Sequence, residues 1–179
     1  GILRSSGTAG NSTVNSNQGD LSSTDGTDAP YLPTHQSVVD EMLAIADVTG
    51  DDVLYDLGSG DGRIPITAAL RYGTRGVGID IDPVLVSEAN KNARNARVQD
   101  KVRFIEGDIF EQDFSEATVV MLYLSPELNL KLRPQLLKMK PGTRIVSHNH
   151  DMGDWKPEKS KSVKTPSGVD HTIYFWRVP

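Results

Sequence analysis

Short apolar runs alternate with segments of helical period along most of this chain. Val53-Leu54-Tyr55, Gly76-Val77-Gly78-Ile79, Val102-Arg103-Phe104-Ile105, Ala117 to Leu124 and Arg144-Ile145-Val146-Ser147-His148 are apolar stretches of strand length. Val38, Val39, Met42, Leu43, Ile45 and Ala46 recur at helical spacing ahead of the first of them. Ile64 to Leu70 reads as a helix with Pro65 in its first turn. Leu85, Val86, Ala89 and Ala93 form the apolar face of another, which Asp82 caps with Pro83 at the first helical position. Ser125-Pro126 opens a further helix that Pro134 is expected to split into two short pieces. Strands separated by helices predict an α/β fold with a parallel sheet. The tail differs. Lys161 to Lys164, a Pro166-Ser167-Gly168 turn and His171 to Val178 are two strands whose connection is too short for a crossover helix, so they pair antiparallel.

The first strand runs into Asp56-Leu57-Gly58-Ser59-Gly60-Asp61-Gly62-Arg63, a glycine loop before a helix, which begins a nucleotide-binding unit. A dinucleotide site has G-x-G-x-x-G, with pyrophosphate on the helix N-terminus. Here the spacing is Gly58-x-Gly60-x-Gly62, and Asp56 stands ahead of the first glycine. A carboxylate at the strand tip repels pyrophosphate and suits a ligand bearing an ammonium group. No Gly-Lys-Ser/Thr follows, which excludes a Walker A loop. The second strand ends in Asp80, eighteen residues past Gly62, near the ~20-residue distance at which an acid chelates ribose hydroxyls; Ile81 follows it. The third is followed by Glu106-Gly107-Asp108-Ile109. Any one of these acids alone reads as a helix cap or a solvated loop carboxylate. Three at the ends of three successive strands after a glycine loop read as a ligand site.

Asp56-x-Gly58-x-Gly60-x-Gly62 resembles the first motif of class I S-adenosylmethionine-dependent methyltransferases. That ligand has a cationic amine, a cationic sulfonium and no phosphate. The resemblance implies a seven-stranded Rossmann-like sheet with a C-terminal antiparallel hairpin, in residues 30–179. It places Asp56, Gly58, Ser59, Gly60, Asp80 and Ile81 at the cofactor, with Asp108 reading the adenine amine and Ile109 covering the ring. Pro30-Tyr31-Leu32-Pro33-Thr34, Tyr55 to Arg63, Ser115 to Val120 and Lys140 to His148 occur in the same order in one narrower group. They resemble the archaeal broad-specificity and mitochondrial protein-lysine methyltransferases. The group's lid over the methionine end corresponds to Tyr31 and Thr34. His148-Asn149-His150 departs from the group, which has an acidic or aromatic residue in place of Asn149 or His150.

The acceptor is expected near the end of the fourth strand, at Tyr123-Leu124-Ser125-Pro126, with Asn129 one turn into the next helix. Tyr123, Ser125 and Asn129 are therefore the candidate catalytic residues. Tyr123 reads equally as a core aromatic, and Asn129 equally as substrate contact or helix surface. Leu124-Ser125-Pro126-Glu127 is not the Asn/Asp-Pro-Pro-Tyr/Phe of enzymes that methylate planar amines. His148-x-His150-Asp151 has spacing compatible with zinc, but a site needs three or four ligands, so no metal is expected. His148 then lines the acceptor side of the cleft or is a satisfied buried histidine, and Trp155 walls the cleft or packs.

Net charge is −5, from 19 basic and 24 acidic residues, and residues 31–179 alone stand at −3, with 18 basic and 21 acidic. No basic stripe marks a phosphate backbone as partner, which disfavours nucleic acid and favours a lysine-bearing protein surface. The chain has no cysteine and no apolar run of membrane-spanning length. Residues 1–29 hold almost nothing to bury and are expected to be a disordered polar leader. Gly1 in place of Met suits a trimmed or processed chain, from which a signal or membrane anchor could have been removed. A donor made in the cytosol implies a cytoplasmic site of action, and a monomer is favoured. The rival readings are a small-molecule N- or O-methyltransferase, a non-catalytic S-adenosylmethionine-binding module and a dinucleotide oxidoreductase.

Overall fold

The computed structural model describes residues 33–179. Tyr31 and the polar leader lie outside the described residues. The chain forms α1 (Gln36–Ile45), β1 (Val53–Leu57), α2 (Arg63–Tyr72), β2 (Arg75–Asp80), α3 (Pro83–Asn95) and β3 (Val102–Glu106). A 3₁₀ turn at Ile109–Glu111 precedes β4 (Val119–Leu122), α4 (Pro126–Leu137) and β5 (Arg144–His148). The hairpin β6 (Lys159–Lys164) and β7 (Asp170–Arg177) closes the chain.

One sheet of seven strands runs β3-β2-β1-β4-β5-β7-β6. Strands β1 to β5 are parallel, and β7 enters antiparallel between β5 and β6. From β1 the chain winds outward through β2 and β3, then returns to lay β4 and β5 on its other side. The order thus reverses between β1 and β4, where an open α/β sheet forms a crevice at the carboxyl ends of its strands.

Side-chain alternation sorts the core into layers. Leu54, Met121, Val146, Ile173 and Phe175 face α1, whose Val38, Val39, Met42 and Leu43 are fully buried. Tyr55, Leu57, Val120, Ile145 and Trp176 face the other way, against Leu132 and Leu136 of α4. Ala89 and Ala93 of α3 pack with Ile66 and Ala69 of α2 over Val102 and Phe104.

The Pro134 expectation is corrected: α4 is one continuous helix with Pro134 inside it. A mid-helix proline removes the N–H that would bond the carbonyl four residues back. Here that carbonyl belongs to Leu130, a residue that is 48% exposed. Leu132 and Leu136, on either side of the proline, are fully buried and hold both halves against the sheet. The fourth strand is also shorter than its apolar run. It stops at Leu122, leaving Tyr123 and Leu124 at the sheet edge.

Candidate active site

At the carboxyl end of β1 the loop is wound from left-handed glycines: φ is 84° at Gly58, 55° at Gly60 and 85° at Gly62. The amides of Gly58 and Ser59 donate to the carbonyl of Ile79 at 2.8 and 3.1 Å, which lashes the loop to β2. Gly62 is required twice over, because a Cβ there would lie 2.5 Å from Phe104 Cζ and its φ already disfavours a side chain.

Around this loop stand the three predicted acids. Asp80 accepts from the Gly60 amide at 2.9 Å through Oδ2 and from the Asp82 amide at 3.0 Å through Oδ1. Asp108 caps the 3₁₀ turn, its Oδ1 accepting from the Phe110 amide at 2.9 Å, while Oδ2 has no partner among the described residues. Ile109 is buried beside it and Ile81 is half-buried beside Asp80. Asp56 is different. It is 3% exposed, and no donor among the described residues bonds its carboxylate. Burial raises its pKa well above the usual carboxylate range, and the like charges of Asp80 and Asp61 add to the rise.

Thr34 is buried at the start of the described chain, and its carbonyl accepts from Arg63 Nη1 at 2.8 Å. The same guanidinium grips Asp61 through Nε at 3.0 Å and Nη2 at 2.5 Å. Arg63 thus ties the segment before α1 to the glycine loop. Its place in the glycine motif gave it no role in the sequence. A long donor fork beside a loop acid was the available signal.

On the other side of β1 the predicted catalytic residues divide. Tyr123 is half-buried with its ring centroid 3.9 Å from that of His148, and burial raises its pKa against a hydrogen bond with Asn149. Ser125 is the N-cap of α4, its Oγ accepting from the Leu128 amide at 3.2 Å. Asn129 is fully buried rather than on the helix surface. Its Nδ2 donates to Ser147 Oγ at 3.1 Å, the His150 carbonyl at 3.2 Å and the Asp151 carbonyl at 3.1 Å, so it braces the loop after β5. Trp155 packs: its ring lies 6.0 Å from Trp176, whose Nε1 donates to the Trp155 carbonyl at 2.8 Å.

His148 is neither exposed in the cleft nor fully satisfied. It is 1% exposed, and its Nε2 lies 2.7 Å from Nδ1 of His171. Burial pushes its pKa down to about 4, aided by His171 and His150. Sequence reasoning missed His171 as a partner. The signal was alternation: His171, Ile173 and Phe175 share one face of β7, and Val146 and His148 lie on the same side of the sheet. Among the described residues no group of three or more His, Asp or Glu side chains is arranged to hold a metal.

Three buried side-chain atoms among the described residues have no hydrogen-bond partner: Ser59 Oγ, Asn129 Oδ1 and His148 Nδ1. Leaving such a group unpaired costs about 1–3 kcal/mol. Ser59 follows β1, Asn129 lies near the start of α4 and His148 ends β5, all toward the carboxyl edge of the sheet. At the end of β1, Ser59 Oγ and the buried Asp56, on which the like charges of Asp80 and Asp61 act, fit a polar ligand carrying positive charge. S-adenosylmethionine is such a ligand.

Residues 56–159 match the ANTKMT methyltransferase domain. The chain belongs to that family. It is a methyltransferase of the S-adenosylmethionine-dependent class, and its seven-stranded sheet with an antiparallel hairpin is the class I architecture. It is 42% identical over 149 residues to a protein-lysine N-methyltransferase of Saccharolobus islandicus, covering 82% of this chain and 92% of that protein. With the adenine nucleotide translocase lysine N-methyltransferase of Mus musculus the identity is 29% over 130 residues, covering 72% of this chain and 56% of the mouse protein. A crystal structure described as an RNA methyltransferase from Salinibacter ruber, in complex with S-adenosyl-L-homocysteine, is 56% identical. It superposes with a TM-score of 0.77 over 83% of this chain and 94% of that one. Among the described residues of this methyltransferase, no helix is long and apolar enough to cross a membrane.

Proposed function

We propose that this methyltransferase N-methylates lysine side chains of proteins. When bound, S-adenosylmethionine supplies a methyl group already activated on sulfonium. The buried carboxylate of Asp56 carries the reading of the donor half: it has no donor among the described residues and would take the cationic methionyl end. Asp80 would hold the ribose hydroxyls, Asp108 the adenine amine and Ile109 the ring face, while Ser59 would bond through its orphan Oγ. Thr34, tied to the glycine loop through Arg63, and Tyr31 would cover the methionine end.

On the acceptor side the chain's task is orientation and the exclusion of water, and orientation alone is worth ~7–11 kcal/mol. The half-buried Tyr123 ring over His148 offers an aromatic wall to a straight alkyl amine. Asn129 holds the loop that carries His150 and Asp151. A lysine acceptor agrees with the relative from Saccharolobus islandicus and with the net charge of −5, which suits a basic surface. The donor's cytosolic origin supports a cytoplasmic site of action.

A second reading, an RNA acceptor, has the Salinibacter ruber structure in its favour and the acidic charge against it. Tritiated donor, the purified protein and cell lysate separate the two. Label that protease removes and that maps to lysine is expected. Label that ribonuclease removes, or that stays in small molecules, overturns the reading.

A further inference from the structure

Every methyl placed on a lysine amine releases a proton, because the ε-amine is an ammonium at neutral pH. The donor half of the crevice has no convenient place for it. Asp80 is held by two backbone amides, and Asp56 sits among carboxylates that a cationic ligand would neutralise. The other half has one. His148 ends β5 beside Tyr123, is 1% exposed, and has one nitrogen bonded to His171 while the other, Nδ1, has no partner among the described residues. His171 on β7 is only half-buried.

We propose that Nδ1 of His148 accepts the proton shed by the acceptor amine and passes it through His171 to solvent. This rests on the lysine reading above. One N–H bond of the ammonium breaks, its electron pair stays on nitrogen as the nucleophile, and the proton joins the buried His148 Nδ1 through an intervening water. The proton on His148 Nε2 crosses the 2.7 Å contact to Nδ1 of His171, and the proton on His171 Nε2 leaves to water. The pair resets when product departs and water exchanges the ring protons.

The low proton affinity of His148 suits a carrier rather than a store. Transfer from an ammonium of pKa ~10.4 to an imidazole near 4 is unfavourable by about a millionfold. Set against an attempt frequency of about 6 × 10¹² s⁻¹, that still permits about a million transfers per second, far above turnover numbers of ~1–10³ s⁻¹. Burial of the amine narrows the gap further. The titratable groups around the pair are Tyr123 after β4 and His150 after β5, with Glu127 and Asp151 beside His150.

Two measurements test the wire. Nitrogen-15 spectra of histidine-labelled protein should find His148 neutral from pH 8 to 5 with the proton on Nε2 and Nδ1 bare; a proton on Nδ1 overturns the proposal. His171→Gln should bind S-adenosylhomocysteine as the parent does, yet methylate lysine at least tenfold more slowly at pH 7. That deficit should close as the pH approaches ~10, where the amine arrives neutral unaided. Unchanged rates, or a deficit equal at every pH, overturn the proton role and leave the lysine reading intact. Label on RNA instead of lysine overturns the acceptor reading, and with it the need for a proton outlet.

Discussion

The two halves of the crevice are built differently. On the β1–β2–β3 side polar groups find partners through the backbone or close by: Asp80 with the Gly60 and Asp82 amides, Asp108 with Phe110, Arg63 with Asp61. On the β4–β5–β7 side buried side chains bond to other side chains, as in Asn129 with Ser147 and His148 with His171. The first half gathers negative charge and buries Asp56 among like charges. The second gathers imidazoles and holds the buried one neutral. The difference follows the chemistry each side has to serve, since the donor is cationic and the acceptor amine must lose its charge before it can attack.

The histidine half should show itself most strongly in acid. His148 has its pKa lowered from 6.5 to about 4 by burial. Between those values the unfolded chain binds the proton and the folded chain does not, so stability falls as pH drops through that window. The full loss is about 3 kcal/mol. Denaturant midpoints of the parent at pH 7 and pH 4 should differ accordingly, and the difference should shrink in His148→Asn. An identical acid slope in the variant would mean that the contrast between the halves is not electrostatic.

The acid half makes the opposite demand. Asp56 has a raised pKa, so its ionised form weakens the apo protein as pH rises through that value. Asp56→Asn should raise the apo melting temperature by about 2–4 °C per kcal/mol of repulsion removed. The same change should weaken S-adenosylhomocysteine binding by about 10–100-fold, equivalent to losing a hydrogen bond to a charged group. Calorimetry and thermal melts on one preparation read both. If stability and affinity fall together, Asp56 serves the fold rather than the ligand.

This contrast also explains what the sequence could disclose. The glycine loop and the Asp82 and Ser125 caps are local patterns, and they stand where capping chemistry puts them, while β4 is shorter than its apolar run. The order of acids along the chain is likewise local, because each closes or follows its own strand. His171 was invisible as a partner because its meaning comes from β7 pairing with β5, a contact across the sheet that no short window contains. Asn129 reads in sequence equally as substrate contact or helix surface, and only its burial against the loop it braces removes the second of these. Pro134 misled because local propensity counts the lost hydrogen bond and omits the buried Leu132 and Leu136 that hold the helix together.

The smallest effect concerns Ser125, which borders both halves of the crevice as a cap and as an expected acceptor contact. Its Oγ accepts from the Leu128 amide at 3.2 Å, which occupies it as the N-cap of α4. Losing such a cap costs about 1 kcal/mol, so Ser125→Ala should lower the melting temperature by about 2–4 °C. Ser125→Asp, an equally good cap that also complements the helix dipole, should restore it. Turnover then separates the roles. If the Asp variant recovers both stability and rate, the hydroxyl acts by holding α4 and, through it, Asn129 and the loop after β5. If the Asp variant is stable and still slow, the serine hydroxyl touches the acceptor and belongs with Tyr123 in the histidine half.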